Sequence, residues 1–279
     1  MAVKVVTDST ADLSPEIIKR FNIGVVPIYV RFGDDVYRDG IDLDSDGFFK
    51  KLTTSTTHPA TSQPTPADFS GIYAKHSGNS DGIISIHISS KISGTCNSAR
   101  LAKAMFESSC PIEVVDSTFN SGGLALAVLA AARLAKAGKR LPEILEETNR
   151  AIRQIEMLGM FDTMKYLARS GRVNRAIAAT GNILNVKPLL TFRDGEIVRA
   201  GMVRAVSRGM DHIHDFVRSK DNVREMIIVH SAAPERAAEL RQRLGSLFPA
   251  KKIVVLKMGA ALGANGGPGV ILVALRVGD

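Results

Sequence analysis

The chain has 279 residues, 45% of them hydrophobic, a formal charge of +8 and no Trp. That length allows two ordinary domains, and the apolar share excludes a disordered chain. Lys and Arg are scattered, only 5% of residues are aromatic, and RNP, KH and zinc-finger patterns are missing, so a solvated basic surface is expected, with an acidic partner or a transient contact with an anionic membrane as the sharper reading, rather than a nucleic-acid binder.

The first half reads as alternating strand and helix. Val3–Thr7 is a buried strand, and Ser14-Pro15-Glu16 starts a helix with Ser as cap and Pro in the first turn. Ile23–Phe32 reads as one extended segment, 34–46 as an acidic loop or hairpin, and Phe48–Leu52 as helix. Residues 53–66 are polar and carry three prolines, which excludes a central strand or a helix interior and marks a long loop. Thr65-Pro66-Ala67-Asp68 restarts a helix with a capping box. Gly82–Ile88 is the next strand, Gly94–Phe106 a helix, Ile112–Asp116 a strand, Asn120–Gly138 a long helix ended by Gly, and Pro142–Ile155 another helix. Repeated βα units imply a parallel sheet with helices on its faces.

The character changes near Leu158, so the chain divides into 1–158 and 159–279. Leu189–Phe192 and Glu196–Val203 flank Arg193-Asp194-Gly195 as a hairpin. Val206–Val217, Met226–His230, Pro234–Leu247 and Ile253–Lys257 alternate helix and strand, and a strand Gly269–Leu275 follows a glycine-rich loop from Gly263. The longest apolar run, Leu124–Ala132, is too short to span a bilayer. Two cysteines make no disulfide framework, and the chain opens on a strand rather than a leader, so a cytoplasmic location is expected.

Three runs carry the chemistry: Thr7-Asp8-Ser9-Thr10-Ala11-Asp12, Ala60-Thr61-Ser62-Gln63-Pro64-Thr65-Pro66, and Ser89 to Ser98 with Ser93-Gly94-Thr95 at its centre. The first and third fall where a strand hands over to a helix, the usual place for a ligand in an open α/β sheet, and free N–H groups there suit an anion. Ser93 is positioned to cap the helix it precedes, with Thr95 a second hydroxyl. Asp8-Ser9-Thr10 and Asp116-Ser117-Thr118 read as structural turns. His212 and His214 do not share a helix face, and the other histidines show no ligand spacing, so no metal and no cofactor are expected. A hydrolase or acyltransferase with Ser93 as nucleophile is the enzymatic alternative; no Gly-x-Ser-x-Gly elbow and no nearby base support it.

With these blocks in order, and with Val115-Asp116-Ser117, Asp162-Thr163, Tyr166-Leu167, Ser170-Gly171-Arg172, Asn185-Val186-Lys187-Pro188 and Asp194-Gly195, the chain resembles the DegV family over its whole length. The resemblance implies a two-domain α/β protein, an N-terminal parallel sheet flanked by helices and a C-terminal α/β domain with a mixed sheet. It implies a binding protein, not a catalyst, that encloses a long-chain fatty acid in a tunnel and presents it to a separate fatty acid kinase, which makes the acyl phosphate. By that resemblance Thr61 and Ser93 hold the carboxylate, with Ser62 and Thr95 as neighbours. Arg204 matches a basic position for the kinase encounter. The family's His-x-Gly-Pro-Gly loop here begins at Asn265 and Gly266, and Asn cannot become cationic at neutral pH. A carrier of another amphipathic anion, with no kinase partner, is the reading this departure keeps open.

Overall fold

The computed structural model describes residues 2–172 and 186–278. Its first half is built on a parallel sheet of β1 (Lys4–Asp8), β2 (Gly24–Val26), β6 (Ile83–His87) and β7 (Ile112–Asp116), in the order β2-β1-β6-β7. Its second half is a mixed sheet ordered β10-β9-β8-β13-β11-β12. These strands are β8 (Ile155–Met160), β9 (Lys187–Arg193), β10 (Glu196–Val203), β11 (Val223–His230), β12 (Ile253–Lys257) and β13 (Ile271–Val277). Only the β11–β12 pair in it is parallel. The expected change near 158 falls inside β8. Of the Asn-Val-Lys-Pro block, Asn185 lies outside the described residues.

Helix α5 (Ser121–Lys136) joins the two sheets. Every residue from Ser121 to Ala132 is buried. Its Leu124, Leu126 and Val128 share one apolar cluster with Val5, Ile84 and Ile86 of the parallel sheet and with Met157, Val229 and Leu272 of the mixed sheet. A helix apolar all round must be covered on all sides, and here a sheet lies on each side. Helix α6 (Leu141–Arg153) packs beside it in the same layer. Helices α3 (Pro66–Ser77) and α4 (Thr95–Met105) cover the outer face of the parallel sheet, and α8 (Val206–Arg218) and α9 (Pro234–Leu244) the outer face of the mixed one.

Local chemistry sets several boundaries as the sequence suggests. Ser14 caps α1 (Pro15–Phe21) through Ile17 N, and Thr65 and Asp68 form the capping box of α3. Asp194 and Gly195 take positive φ in the β9–β10 hairpin, the turn an Asp-Gly pair favours.

Three expectations are corrected. The segment 23–32 is two strands. Pro27 lacks an N–H, and the Ile28 N–H donates to Ser9 Oγ instead of to a ladder. The chain therefore leaves the parallel sheet, and β3 (Tyr29–Phe32) opens a small antiparallel sheet with β4 (Asp35–Arg38) and β5 (Ala60–Ser62), ordered β4-β3-β5. The polar stretch 53–66 is thus not all loop. Pro59 and Pro64 flank β5, so its own N–H groups stay free for an edge ladder. The start of the glycine-rich loop is a helix, α10 (Ala260–Gly266), which packs with α2 (Ser45–Thr54) against the small sheet. Two distant carboxylates hold its start: Asp12 accepts from Gly259 N and Asp39 from Ala260 N, each at 2.8 Å.

Candidate functional site

A cavity of about 500 Å³ opens between the sheets, with walls from both halves of the chain. Its apolar side comes from Met157, Leu190, Phe192 and Leu272 of the mixed sheet and from Ile88 and Ile92 beyond β6. Its polar side gathers Thr61, Ser62, Gln63, Ser93, Asn120 and Asn265. The sequence runs around Thr61 and Ser93, some thirty residues apart, meet on this wall, and Gly266 joins them.

Gly94 allows that meeting. At φ −75° its backbone suits any residue, so the need is for space. A Cβ there would stand 2.0 Å from Gln63 Oε1. Gln63 lies over the glycine and donates from Nε2 to Ser98 Oγ at 3.2 Å, which seats β5 on the start of α4.

Ser93 does not cap α4 as expected. The cap position is Gly94, and Ser93 Oγ, one residue earlier, accepts from Thr95 N at 3.3 Å and lies 2.8 Å from Thr95 Oγ1. Thr95, expected as a neighbouring ligand, is fully buried behind Ser93 and off the cavity wall. Arg204 is exposed and also off the wall. Asn265 reaches the wall from α10, but one of its two amide donors bonds Ala261 O at 2.8 Å.

Supports for the wall come from the strand ends. Asp8 accepts from Thr10 N and from Ile88 N, at 3.1 and 3.0 Å. Asp116 accepts from Ser90 N and Thr118 N, and Ser89 Oγ donates to Gly195 O at 2.7 Å, tying the hairpin of the second half to the loop that carries Ser93. The glycine-rich segment leaves α10 at Gly267, whose φ is +73° and where a Cβ would strike the Tyr166 ring at 2.2 Å.

Ser85, His87 and Asp8 stand in nucleophile, base and orienting order. Ser85 Oγ is 2.6 Å from His87 Nε2, and His87 Nδ1 is 3.0 Å from Asp8 Oδ2. All three are sealed at 0% exposure, and Tyr73 donates its hydroxyl to Ser85 at 2.9 Å. Their chain meets the cavity wall through Thr10 and the Ile88 N–H, both of which donate to Asp8. A nucleophile must touch substrate, so this is an orienting network for Thr10. Ser93 bonds no base: among the described residues its partners are the hydroxyl and amide of Thr95. Burial pushes the Cys96 thiol up to about 11, with the Asp116 and Asp8 charges adding and Arg100 opposing, which leaves it a poor nucleophile. No group of three or more His, Cys, Asp or Glu among the described residues is placed for a metal.

The sequence reading missed Lys91, Asn120 and Arg172 on the wall. Lys91 and Arg172 also line an adjoining opening of about 390 Å³ with one carboxylate, Glu196, so the charge of its lining is net positive. Their residue types are common on surfaces, and only the fold brings them together. Among the described residues, no helix is long and apolar enough to cross a membrane.

Comparison with known proteins gives one answer. A family model described as "Uncharacterised protein, DegV family" matches residues 2–276. A DegV domain-containing protein of Deinococcus radiodurans is 34% identical over 280 residues, 99% of each chain. A Thermus thermophilus DegV family protein, described for its fatty acid binding, superposes with a TM-score of 0.89 at 32% identity, covering 99% of this chain and 100% of that one. DegV of Bacillus subtilis, described as a fatty acid binding protein, gives a TM-score of 0.89 at 28% identity with both chains fully covered. With its fold, its ordered motifs and its full-length match, the chain belongs to the DegV family.

Proposed function

We propose that this protein binds a long-chain fatty acid in the cavity between its sheets, with the carboxylate on the hydroxyl wall, and presents it to a separate acyl kinase. The observation that carries the reading is the wall itself: an aliphatic cavity of about 500 Å³ with Thr61, Ser62 and Ser93 grouped on one side. That volume is within the range of about 300–1,000 Å³ common to small-molecule pockets. Each buried methylene is worth about 0.8 kcal/mol, so some fifteen of them supply on the order of 12 kcal/mol before the costs of association.

The head group needs donors. Ser93 and Thr95 are 2.8 Å apart, and if Thr95 donates, the Ser93 proton is free for the cavity. Thr61 is a second hydroxyl and Asn265 keeps one free amide N–H. Charge-assisted bonds of this kind contribute about 1.5–3 kcal/mol each. Neutral donors leave a carboxylate oxygen reactive toward a phosphoryl donor. Lys91 and Arg172 at the mouth, and the exposed Arg204, give an acidic partner or a phosphate something to meet. Where the family's histidine is expected, Asn265 lacks a cationic form, so transfer to a kinase is expected to be slower than binding alone would allow.

Native mass spectrometry tests the binding. Protein loaded with palmitate is expected to carry one acid per chain. The Thr61→Val, Ser93→Ala double variant is expected to bind it about tenfold or more weakly with an unchanged fold. A wild type with no adduct, or a double variant with unchanged affinity, refutes the assignment.

A further inference from the structure

The 3-10 turn Ser9–Ala11 has two sides. Thr10 faces the acid cavity, whereas Ser9 and Ala11 line a second cleft of about 710 Å³, together with Asp12, Asp39 and Gly259. Among the described residues two buried side-chain oxygens have no hydrogen-bond partner, Thr7 Oγ1 and Asp39 Oδ2. Both residues line this second cleft. Thr7 is fully buried and Asp39 is 4% exposed. Such atoms are costly to leave unpaired and call for an explanation.

The surroundings say what would pair them. Asp39 Oδ1 accepts from Ala260 N. Gly259 lets the backbone come close to both carboxyl oxygens: a Cβ there would stand 3.1 and 3.2 Å from them and 3.3 Å from Asp12 Oδ1, tighter than ordinary contact. Gly259 has φ −72°, which any residue adopts, so a glycine serves here for this close approach and not for its backbone angle. Burial pushes Asp39 up to about 6, against the Ser9 hydroxyl and the Ala260 and Ala261 amides and with the Asp8 charge adding. It therefore carries its charge at neutral pH, and none of its hydrogen bonds comes from a cation. Further out, Glu16, Asp44 and Asp46 are exposed carboxylates on the same cleft, and Leu13, Ile18 and Val25 give it an aliphatic side. Lys257 is the one cation among the cleft's described residues, and it pairs with Asp46 at 2.7 Å.

We propose that this cleft binds a linear alkyl diamine or polyamine, with one ammonium on Asp39 Oδ2, the chain along the aliphatic side, and a second ammonium among the rim carboxylates. Thr7 Oγ1 is a further acceptor on the same wall. An ammonium is a pure donor with three N–H groups, the complement of an acceptor-lined cleft. Among the described residues no three His, Cys, Asp or Glu side chains are placed to hold one metal ion, whereas two separated carboxylate positions suit the two ends of a diamine. Anions are excluded by the rim.

Isothermal titration of the full chain with 1,4-diaminobutane tests this, with 1,4-butanediol as the uncharged isostere and magnesium chloride as competitor. One saturable diamine site and none for the diol are expected. Asp39→Asn keeps the bond to Ala260 but puts an amide donor where the free acceptor was, and a loss of about tenfold or more is expected. Thr7→Val removes the other orphan without touching α10 and is expected to weaken binding by a smaller factor. No saturable diamine binding, equal binding of the diol, or wild-type affinity in both variants overturns the proposal. Stoichiometric displacement of the diamine by magnesium overturns it in favour of a metal site.

Discussion

At the scale of single residues, the site depends as much on what is missing as on what is present. Thr61 and Ser93 are useful only if β5 lies against the start of α4, and Gly94 makes the room. Gln63 Oε1, the atom an added Cβ would meet, is the far end of a flexible side chain. Gly94→Ala is therefore expected to cost little in stability, under about 1 kcal/mol, because the glutamine can swing away. The swing breaks the bond to Ser98 and unseats Thr61 and Ser62, so palmitate affinity is expected to fall by about tenfold. Thermal unfolding and palmitate displacement, read together, check it. A large fall in Tm with unchanged affinity would mean that Gly94 serves packing and not the site. This residue also shows how far the sequence could be read. Thr61, Ser62, Ser93, Asn265 and Gly266 were named from their motifs and all reach the wall. Thr95 was not distinguishable from them, because a spacing of two residues does not say which hydroxyl faces the ligand and which stands behind it.

At the scale of elements, legibility follows the range of the forces that make each one. α1 and α3 announce themselves because cap, proline and carboxylate are local. β1, β6, β7 and β12 do so because short β-branched runs fit buried parallel strands. β5 and β4 are too short for any period to register. α10 is illegible as a helix because what starts it, the carboxyls of Asp12 and Asp39, comes from more than two hundred residues away. α5 is recognisable as a helix, but its place is not, since a run of apolar residues says buried without saying against what. That place makes it the element on which both halves depend. Leu126 is fully buried there, in the one cluster that spans both sheets. Leu126→Ala is expected to cost about 2–5 kcal/mol. Because both sheets pack on this helix, fluorescence and circular dichroism are expected to report one shared transition at a lower denaturant midpoint. Two separated transitions would show that the sheets fold as independent units.

At the scale of the molecule, a chain of charge +8 keeps an acidic centre. Asp8, Asp12 and Asp39 converge where the 3-10 turn, the segment after β4 and the start of α10 meet, and Gly259 lies within contact range of the last two. Burial pushes Asp12 up to about 8; its bonds from Ser121 and Gly259 oppose the rise, and the charges of Asp39 and Asp8 add to it. In the unfolded chain an Asp titrates near 3.9. Between those values the folded state holds a proton that the unfolded state has released, so the stability from Asp12 is complete below about pH 4 and is lost as pH rises through about 8. Asp39 acts in the same sense up to about 6. His58, His76 and His230, whose pKa values burial lowers, act in the opposite sense, but only below about 6.5. Asp42, held down to about 2 by Arg38, matters only in acid. The thiols of Cys96 and Cys110, which burial raises, act in the same sense as Asp12 but only from about pH 8.5 upward, so Asp12 dominates from pH 7 to 8.5 and Tm is expected to fall across it. One pKa unit is worth about 1.4 kcal/mol, or roughly 3–5 °C in a chain of this size. Asp12→Asn keeps an acceptor for Gly259 and removes the titration, so its Tm is expected to be flat over the same interval and above wild type at its upper end. A wild-type Tm that rises from pH 7 to 8.5, or a variant that falls as steeply, would place the proton elsewhere.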